Sequence, residues 1–201
     1  LSIRRQRQMC IRDSMLSLAY ENVNQAFGQL LQFSDKIDEQ IYKREDTVNY
    51  LDKVISEYIS TALATPNLNV NISQALSSYY LMLVDIERIS DYAVNMNHQA
   101  TKRLQGDMTI SEIEIVEHMK KLCVDMKNDL DDVEEAERKD DVIDSLVSSW
   151  REAQIQALKQ KKCSSEVSMM LSRIFTDFER INDHALNVSQ ELDKITVEIP
   201  D

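Results

Sequence analysis

Apolar side chains recur every three to four residues through nearly the whole chain, the spacing of amphipathic α-helices, and the polar interruptions divide that pattern into six elements. A first helix is expected over about 15–33, and a second over about 35–64, opening after Ser34 as N-cap with Asp35 beside it. Thr65-Pro66 closes the second. After the polar stretch NLNVN, a third helix is expected over about 70–104, with Gly106 at its C′ position. Thr109 and Glu112 have the spacing of a capping box and open a fourth helix over about 110–128. A fifth reaches about 160, although neither glycine nor proline marks the break before it. The cluster KQKKCSS ends it, and a sixth runs over about 165–195 ahead of a strand-like tail, ITVEIP.

Composition sharpens this pattern into a fold class. The 201 residues include two glycines and two prolines, where ordinary chains carry roughly 7% and 5%. Hairpins and bulges need those residues, so a sheet-rich fold is excluded. Hydrophobic residues make up 43% and charged residues 29%, enough for a core and too apolar for a disordered chain.

The sequence also repeats itself. DIERISDYAVN (Asp85 to Asn95) and DFERINDHALN (Asp177 to Asn187) agree at seven of eleven positions, 92 residues apart. DTVNYL (Asp46 to Leu51) and DVIDSL (Asp141 to Leu146) match more weakly, 95 residues apart. Order and spacing are kept, so the chain reads as an all-α tandem of two pseudo-symmetric three-helix bundles, residues 15–106 and 107–197, with 198–201 a short tail.

The repeated motifs are acidic on one side. Glu87, Asp91 and Asn95, spaced by four, share one flank of the third helix, almost opposite Met82, Ile86, Ile89, Ala93 and Met96. Glu179, Asp183 and Asn187 likewise oppose Ile174, Phe178, Ile181, Ala185 and Val188. On the second helix Asp46 and Asn49 oppose Val48, Ile55 and Ile59, and on the fifth Asp141 and Asp144 oppose Ile143, Leu146 and Trp150. Acids at i,i+4 repel unless a cation lies between them, and Arg88 and Arg180 are placed to orient them. A solvated surface explains one such stripe; its duplication weakens that reading and leaves solvated acids and bound ions as equal alternatives. Carboxylates and amides without histidine or cysteine suit Mg²⁺, Ca²⁺, Mn²⁺ or iron rather than zinc.

Other chemistry finds no support. The Glu-x-x-His of di-iron oxidases, a phosphate-cradling glycine loop and a nucleophile elbow are all missing, so the chain reads as a non-enzyme. His98 and His118 read as exposed helix residues, and His184 stands where the other repeat has Tyr92. Trp150 and the pair Met169 and Met170 fall at core spacing. Cys123 and Cys163, with Cys10, make no disulfide framework and suggest a reduced, cytosolic setting. The longest apolar run, Tyr79 to Val84, is far below the ~18 residues of a membrane span.

Net charge is −12, from 35 acids and 23 bases, which argues against a nucleic-acid partner. Arg4, Arg5, Arg7 and Arg12 sit with Asp13 in residues 1–14, whose run RQRQMCIRDS resembles translated sequencing-adapter read-through; this tail is set apart as artefactual. The remainder then holds 19 bases and 34 acids, a charge of −15. Ten acids crowd residues 125–144, a solvated helical face or a docking surface for a basic partner.

ERISDYAVN and ERINDHALN resemble the twin E-x-x-x-D signatures of the PhoU family, and DTVNYL and DVIDSL its second-helix motif, together covering about residues 15–195. The resemblance implies two multinuclear metal sites, one lined by Asp46, Asn49, Glu87 and Asp91, the other by Asp141, Asp144, Glu179 and Asp183. Asn95, Asn187, Arg88 and Arg180 would be accessory. Iron-type clusters of divalent or trivalent ions are implied, with Mg or Mn as alternatives. Ser90 and Asn182 depart from the motif's usual small residue, and Val147 replaces the acid found at Asp52, which sets full occupancy of the second site in question. The stretch from Trp150 to Asn187 resembles the C-terminal domains of bacterial sodium-phosphate cotransporters more closely. A cytoplasmic regulatory domain at the inner face of the membrane is therefore expected, partnered with the membrane part of the transporter, inorganic phosphate or a second copy of itself. A stand-alone PhoU-type regulator and a metal-free helical scaffold are the alternatives.

Overall fold

The computed structural model describes the backbone of residues 2–100 and 107–198, and the side chains of residues 12–100 and 107–195. Six helices follow one another: α1 (Ser2–Leu31), α2 (Asp35–Leu63), α3 (Val70–Ala100), α4 (Ile110–Asn128), α5 (Val133–Lys159) and α6 (Ser165–Glu198). The all-α, two-repeat fold is the one its periodicity implies. Long α3 and α6 form the central seam, α1 and α2 cover α3, and α5 covers α6. The repeats are not packed alike, because the shorter α4 meets α1 of the other bundle more extensively than it meets α5 or α6. Lys127 of α4 lies 5.5 Å from the centre of the buried Tyr20 ring of α1.

The core is the set of apolar seams. Met82, Ile86, Ile89, Ala93 and Met96 of α3, and Ile174, Phe178, Ile181, Ala185 and Val188 of α6, are wholly buried. Phe27 of α1 meets Phe178 edge-on at 6.4 Å, and Trp150 of α5 lies 6.2 Å from Phe175 and 6.3 Å from Phe178. Met170 is buried but Met169 is exposed, a correction to the expected core pair: neighbours on a helix point about 100° apart, so one seam holds only one of them.

Several boundaries differ from the periodic pattern. The backbone of α1 is helical from Ser2, not from residue 15, since the preceding arginines, glutamines and methionine favour helix and nothing interrupts propagation from the packed turns. α6 continues through Glu198, so Ile195 to Val197 extend the helix instead of forming a strand, and Ile195 is buried. The expected end of the third helix and its Gly106 cap lie outside the described residues. Ser34 does not cap α2 with its hydroxyl. The Gln29 side chain holds that corner from α1, accepting from the Ser34 N–H at 2.7 Å and donating to the Ser34 carbonyl at 3.0 Å.

Polar capping also explains how helices end without glycine. The Thr109–Glu112 capping box forms as expected. Glu112 is nevertheless buried, and its other carboxylate oxygen accepts from Gln154 Nε2 at 2.7 Å. Between α4 and α5, Asp132 accepts from the Glu135 N–H at 3.1 Å, while Lys139 donates to the Asp125 carbonyl at 2.7 Å and pairs with Asp129. A cation at a helix C-terminus satisfies carbonyls that would otherwise lack partners. α5 ends in a Schellman arrangement, with Lys162 N–H to the Ala157 carbonyl at 2.9 Å and Lys161 N–H to Leu158 at 3.0 Å. Lys161 takes φ 56°, a region where a Cβ is strained. Lys161→Gly is therefore expected to stabilise the protein by about 1 kcal/mol, read as a higher urea midpoint at unchanged slope; a lower midpoint would contradict it.

Candidate functional site

The pairing of α2 with α3, and of α5 with α6, brings the acidic motifs of each repeat together. In the first repeat Asp46 and Asn49 stand exposed on α2, with Glu87 and Asp91 half-buried on α3. Arg88 lies 3.8 Å from Glu87 and 3.7 Å from Asp91, contacts too long and too exposed to neutralise them. Asn95 is exposed one turn further on. The residue that periodicity missed is Glu45. It is only 8% exposed, accepts a hydrogen bond from the Ser90 hydroxyl, and leaves Oε1 buried without a partner. Ser90 in turn accepts from Asn22 Nδ2 at 3.1 Å, and Arg44 Nε donates to Asn22 Oδ1 at 2.8 Å, so a polar chain runs from α1 through α3 to this carboxylate.

Electrostatics mark the cluster as short of positive charge. Burial pushes Glu45 up to about 7 despite the Ser90 hydrogen bond, with Asp91 adding repulsion and a hydrogen bond that favours the protonated carboxyl, and Glu87 adding repulsion. Glu87 is raised by burial and by Asp91, against the pull of Arg88. Asp52, one turn beyond Asn49, is raised by burial against a hydrogen bond from Ser56 at 3.3 Å. These shifts point the same way: carboxylates drawn out of water and held near one another.

The second repeat repeats the placement with different partners. Asp141 and Asp144 are exposed on α5, and Glu179 and Asp183 half-buried on α6. Asp140, the counterpart of Glu45, is raised to about 6 by burial and by Asp144, Asp183 and Asp141, and its Oδ1 is buried without a partner. Arg180 lies 3.3 Å from Asp183. Glu179 is paired with Arg151 of α5, a partner no motif announced. Asn187 turns away from the acids to donate to Asp85 Oδ1 at 3.2 Å. His184 Nδ1 lies 2.8 Å from the same oxygen, and its ring stacks on Tyr92 at 5.7 Å. The counterpart positions Tyr92 and His184 thus meet on the α3–α6 seam.

Do these groups suit a metal? Among the described residues no three histidine, cysteine, aspartate or glutamate side chains converge tightly enough to enclose an ion as they stand. Donor chemistry and charge nonetheless fit a hard cation: oxygen ligands only, excess negative charge, and on each face one buried carboxylate oxygen with nothing to bond. Closing around an ion would take rotamer changes of the exposed Asp46, Asn49, Asp141 and Asp144. The extended match that would have revealed Glu45 and Asp140 was available, since both copies carry an acid immediately before the motif, EDTVNYL and DDVIDSL.

The PhoU domain family model matches this chain twice, over residues 13–100 and 110–192. The chain belongs to the PhoU family. A relative from Thermotoga maritima, the phosphate-specific transport system accessory protein PhoU homolog 1, is 24% identical over 190 residues, covering 89% of this chain and 81% of that protein. The solved PhoU of Pseudomonas aeruginosa has the same fold, with TM-score 0.84 at 18% identity over 98% of this chain and 99% of that one. So does the phosphate transport system regulatory protein PhoU of Streptococcus pneumoniae, with TM-score 0.83 at 19% identity over 100% and 99% of the two chains. As a PhoU family member the chain has its two family repeats on α1–α3 and α4–α6, and among its described residues no helix is long and apolar enough to cross a membrane.

Proposed function

We propose that this PhoU family protein is a non-enzymatic regulator of a phosphate transport system, acting as an accessory protein through its two acidic faces. The whole-length similarity to proteins named as phosphate-transport accessory and regulatory components carries this reading, and supports it over that of a domain fused to a sodium-phosphate cotransporter. The partner is then the cytoplasmic side of a transporter's membrane part, with regulation set by docking. Hard metal ions, iron or alternatively Mg or Mn, are the proposed occupants of the faces. They would supply positive charge among the carboxylates and a place for inorganic phosphate to bridge. Asp46, Asn49, Glu87 and Asp91, now joined by Glu45, would hold them in the first repeat. Asp141, Asp144, Glu179 and Asp183, with Asp140, would do so in the second. The unpartnered buried oxygen of Glu45 amid carboxylates is the observation that supports metal most directly.

The test is metal content by elemental analysis of the purified protein, together with phosphate uptake in cells carrying Glu87→Ala with Glu179→Ala. Wild type is expected to retain metal well above buffer background, and the double variant to lose most of it together with uptake control. Metal at background in both proteins and unchanged uptake would leave a metal-free helical scaffold as the reading.

A further inference from the structure

The two acidic faces are built from equal numbers of carboxylates. Glu45, Asp46, Asp52, Glu87 and Asp91 stand on the first, and Asp140, Asp141, Asp144, Glu179 and Asp183 on the second, where Asp144 in place of Asn49 makes up for Val147 in place of Asp52. Each has one arginine on its own motif helix, Arg88 or Arg180. What separates them is Arg151. Its guanidinium pairs with Glu179, donates to Thr176 Oγ1 at 3.3 Å and to the Ser172 carbonyl at 3.5 Å, and lies over the Phe175 ring at 5.8 Å. Four contacts on α6 hold it, and both partners of the pair are about one-third exposed, 33% for Arg151 and 29% for Glu179. At the same 95-residue offset the first repeat has Ser56, a neutral side chain that donates to Asp52 Oδ1 at 3.3 Å. Glu87 therefore has no arginine reaching it from α2 at that position. Buried, fully apolar Val147 lies one turn before Arg151 where Asp52 lies one turn before Ser56, so at that level of the helix α5 carries no acid beside its arginine.

Resting on the metal reading above, we infer that Arg151 is a resident counter-ion standing in for a metal at Glu179, so that the two repeats load divalent cations unequally, the first repeat ahead of the second. A cation entering the second face must displace the guanidinium from Glu179 or bind beside a like charge; one entering the first face meets, besides carboxylates, only the longer and more exposed contacts of Arg88. Arg151 is a positioning residue in this scheme: it sets how strongly Glu179 is available, and does not itself bind the ion.

Mn²⁺ is the probe, titrated calorimetrically into the full chain after chelation and desalting. Wild type is expected to show a tight class of sites removed by Glu87→Ala and a weaker class removed by Glu179→Ala. Arg151→Ser, which installs the first repeat's residue, is expected to tighten the weaker class roughly tenfold while leaving the tight class unchanged. Arg151→Lys keeps the charge and should keep the wild-type inequality, which separates charge from packing. Two equal classes in wild type, or a weak class indifferent to Arg151→Ser in a protein with wild-type circular dichroism, would overturn the inference while leaving metal binding intact. An absence of any Mn²⁺ binding by wild type would instead overturn the metal reading, and this inference with it.

Discussion

Truncation of Phe178 to alanine is expected to lower the stability of the protein by about 3–5 kcal/mol, the largest loss from any single change considered. Phe178 is wholly buried in the middle of α6 and touches both repeats. Its ring meets Phe27 of α1 edge-on at 6.4 Å with planes 75° apart, a geometry that adds to simple area burial, and lies 6.3 Å from Trp150 of α5. Removing it opens a cavity bounded by three helices, and long helices pinned elsewhere along their length can collapse into it only partly. Its counterpart Ile86, equally buried, provides the scale: Ile86→Val removes one methylene and is expected to lose about 0.5–1.5 kcal/mol. Urea unfolding followed by circular dichroism measures both. A Phe178→Ala loss below about 1.5 kcal/mol would mean that the α1–α6 contact between repeats contributes little to the fold.

The second large effect depends on pH. The Glu45 carboxyl, ordinarily at 4.5, is pushed up to about 7 by burial, against the Ser90 hydrogen bond and helped by Asp91 and Glu87. The folded protein therefore holds this proton more tightly than the unfolded chain. Its charged form opposes folding, so stability is lost as pH climbs from about 4.5 through about 7 and stays lost above. Glu45→Gln keeps an acceptor for Ser90 and removes the charge. In metal-free protein it is expected to be nearly neutral at pH 4.5 and to raise stability by roughly 2 kcal/mol at pH 8. The same gain at both pH values would show that the effect lies in packing and not in the buried charge. A residue that lowers the stability of its own fold, in a position where an amide would raise it, fits a side chain retained for binding.

These effects divide along what periodicity can reveal. The bounds of α4, those of α2 to within a residue or two, and the end of α5 follow from apolar spacing and from Thr109, Pro66 and the KQKKCSS cluster, because helix ends are set by neighbours within one turn; the start of α5, which neither glycine nor proline marks, did not follow. The buried seams of α3 and α6 were legible for the same reason. Eight acids and amides were legible as stripes, since spacing by three and four places them on one flank. Glu45 and Asp140 were less so. Each lies one residue before its matched motif, turned toward the neighbouring helix, and a stripe drawn on one helix says nothing about what faces it across a groove.

Partners far apart in sequence were beyond that reach. Arg151 meets Glu179 because of how α5 crosses α6, and His184 meets Asp85 because α3 and α6 run along each other in the central seam. Gln29 replaces the Ser34 hydroxyl at the α1–α2 corner because it approaches from the preceding helix. By itself, the amino-acid order determined that the chain is helical, duplicated and acidic on the flanks of its motif helices, since those properties depend on composition and on contacts within a few residues. Tertiary structure alone decided which acids are buried, which oxygens are left without partners and which carboxylate already has a cation. Those outcomes depend on distances between helices, and over such distances burial and charge, rather than local propensity, set the free energy of each side chain.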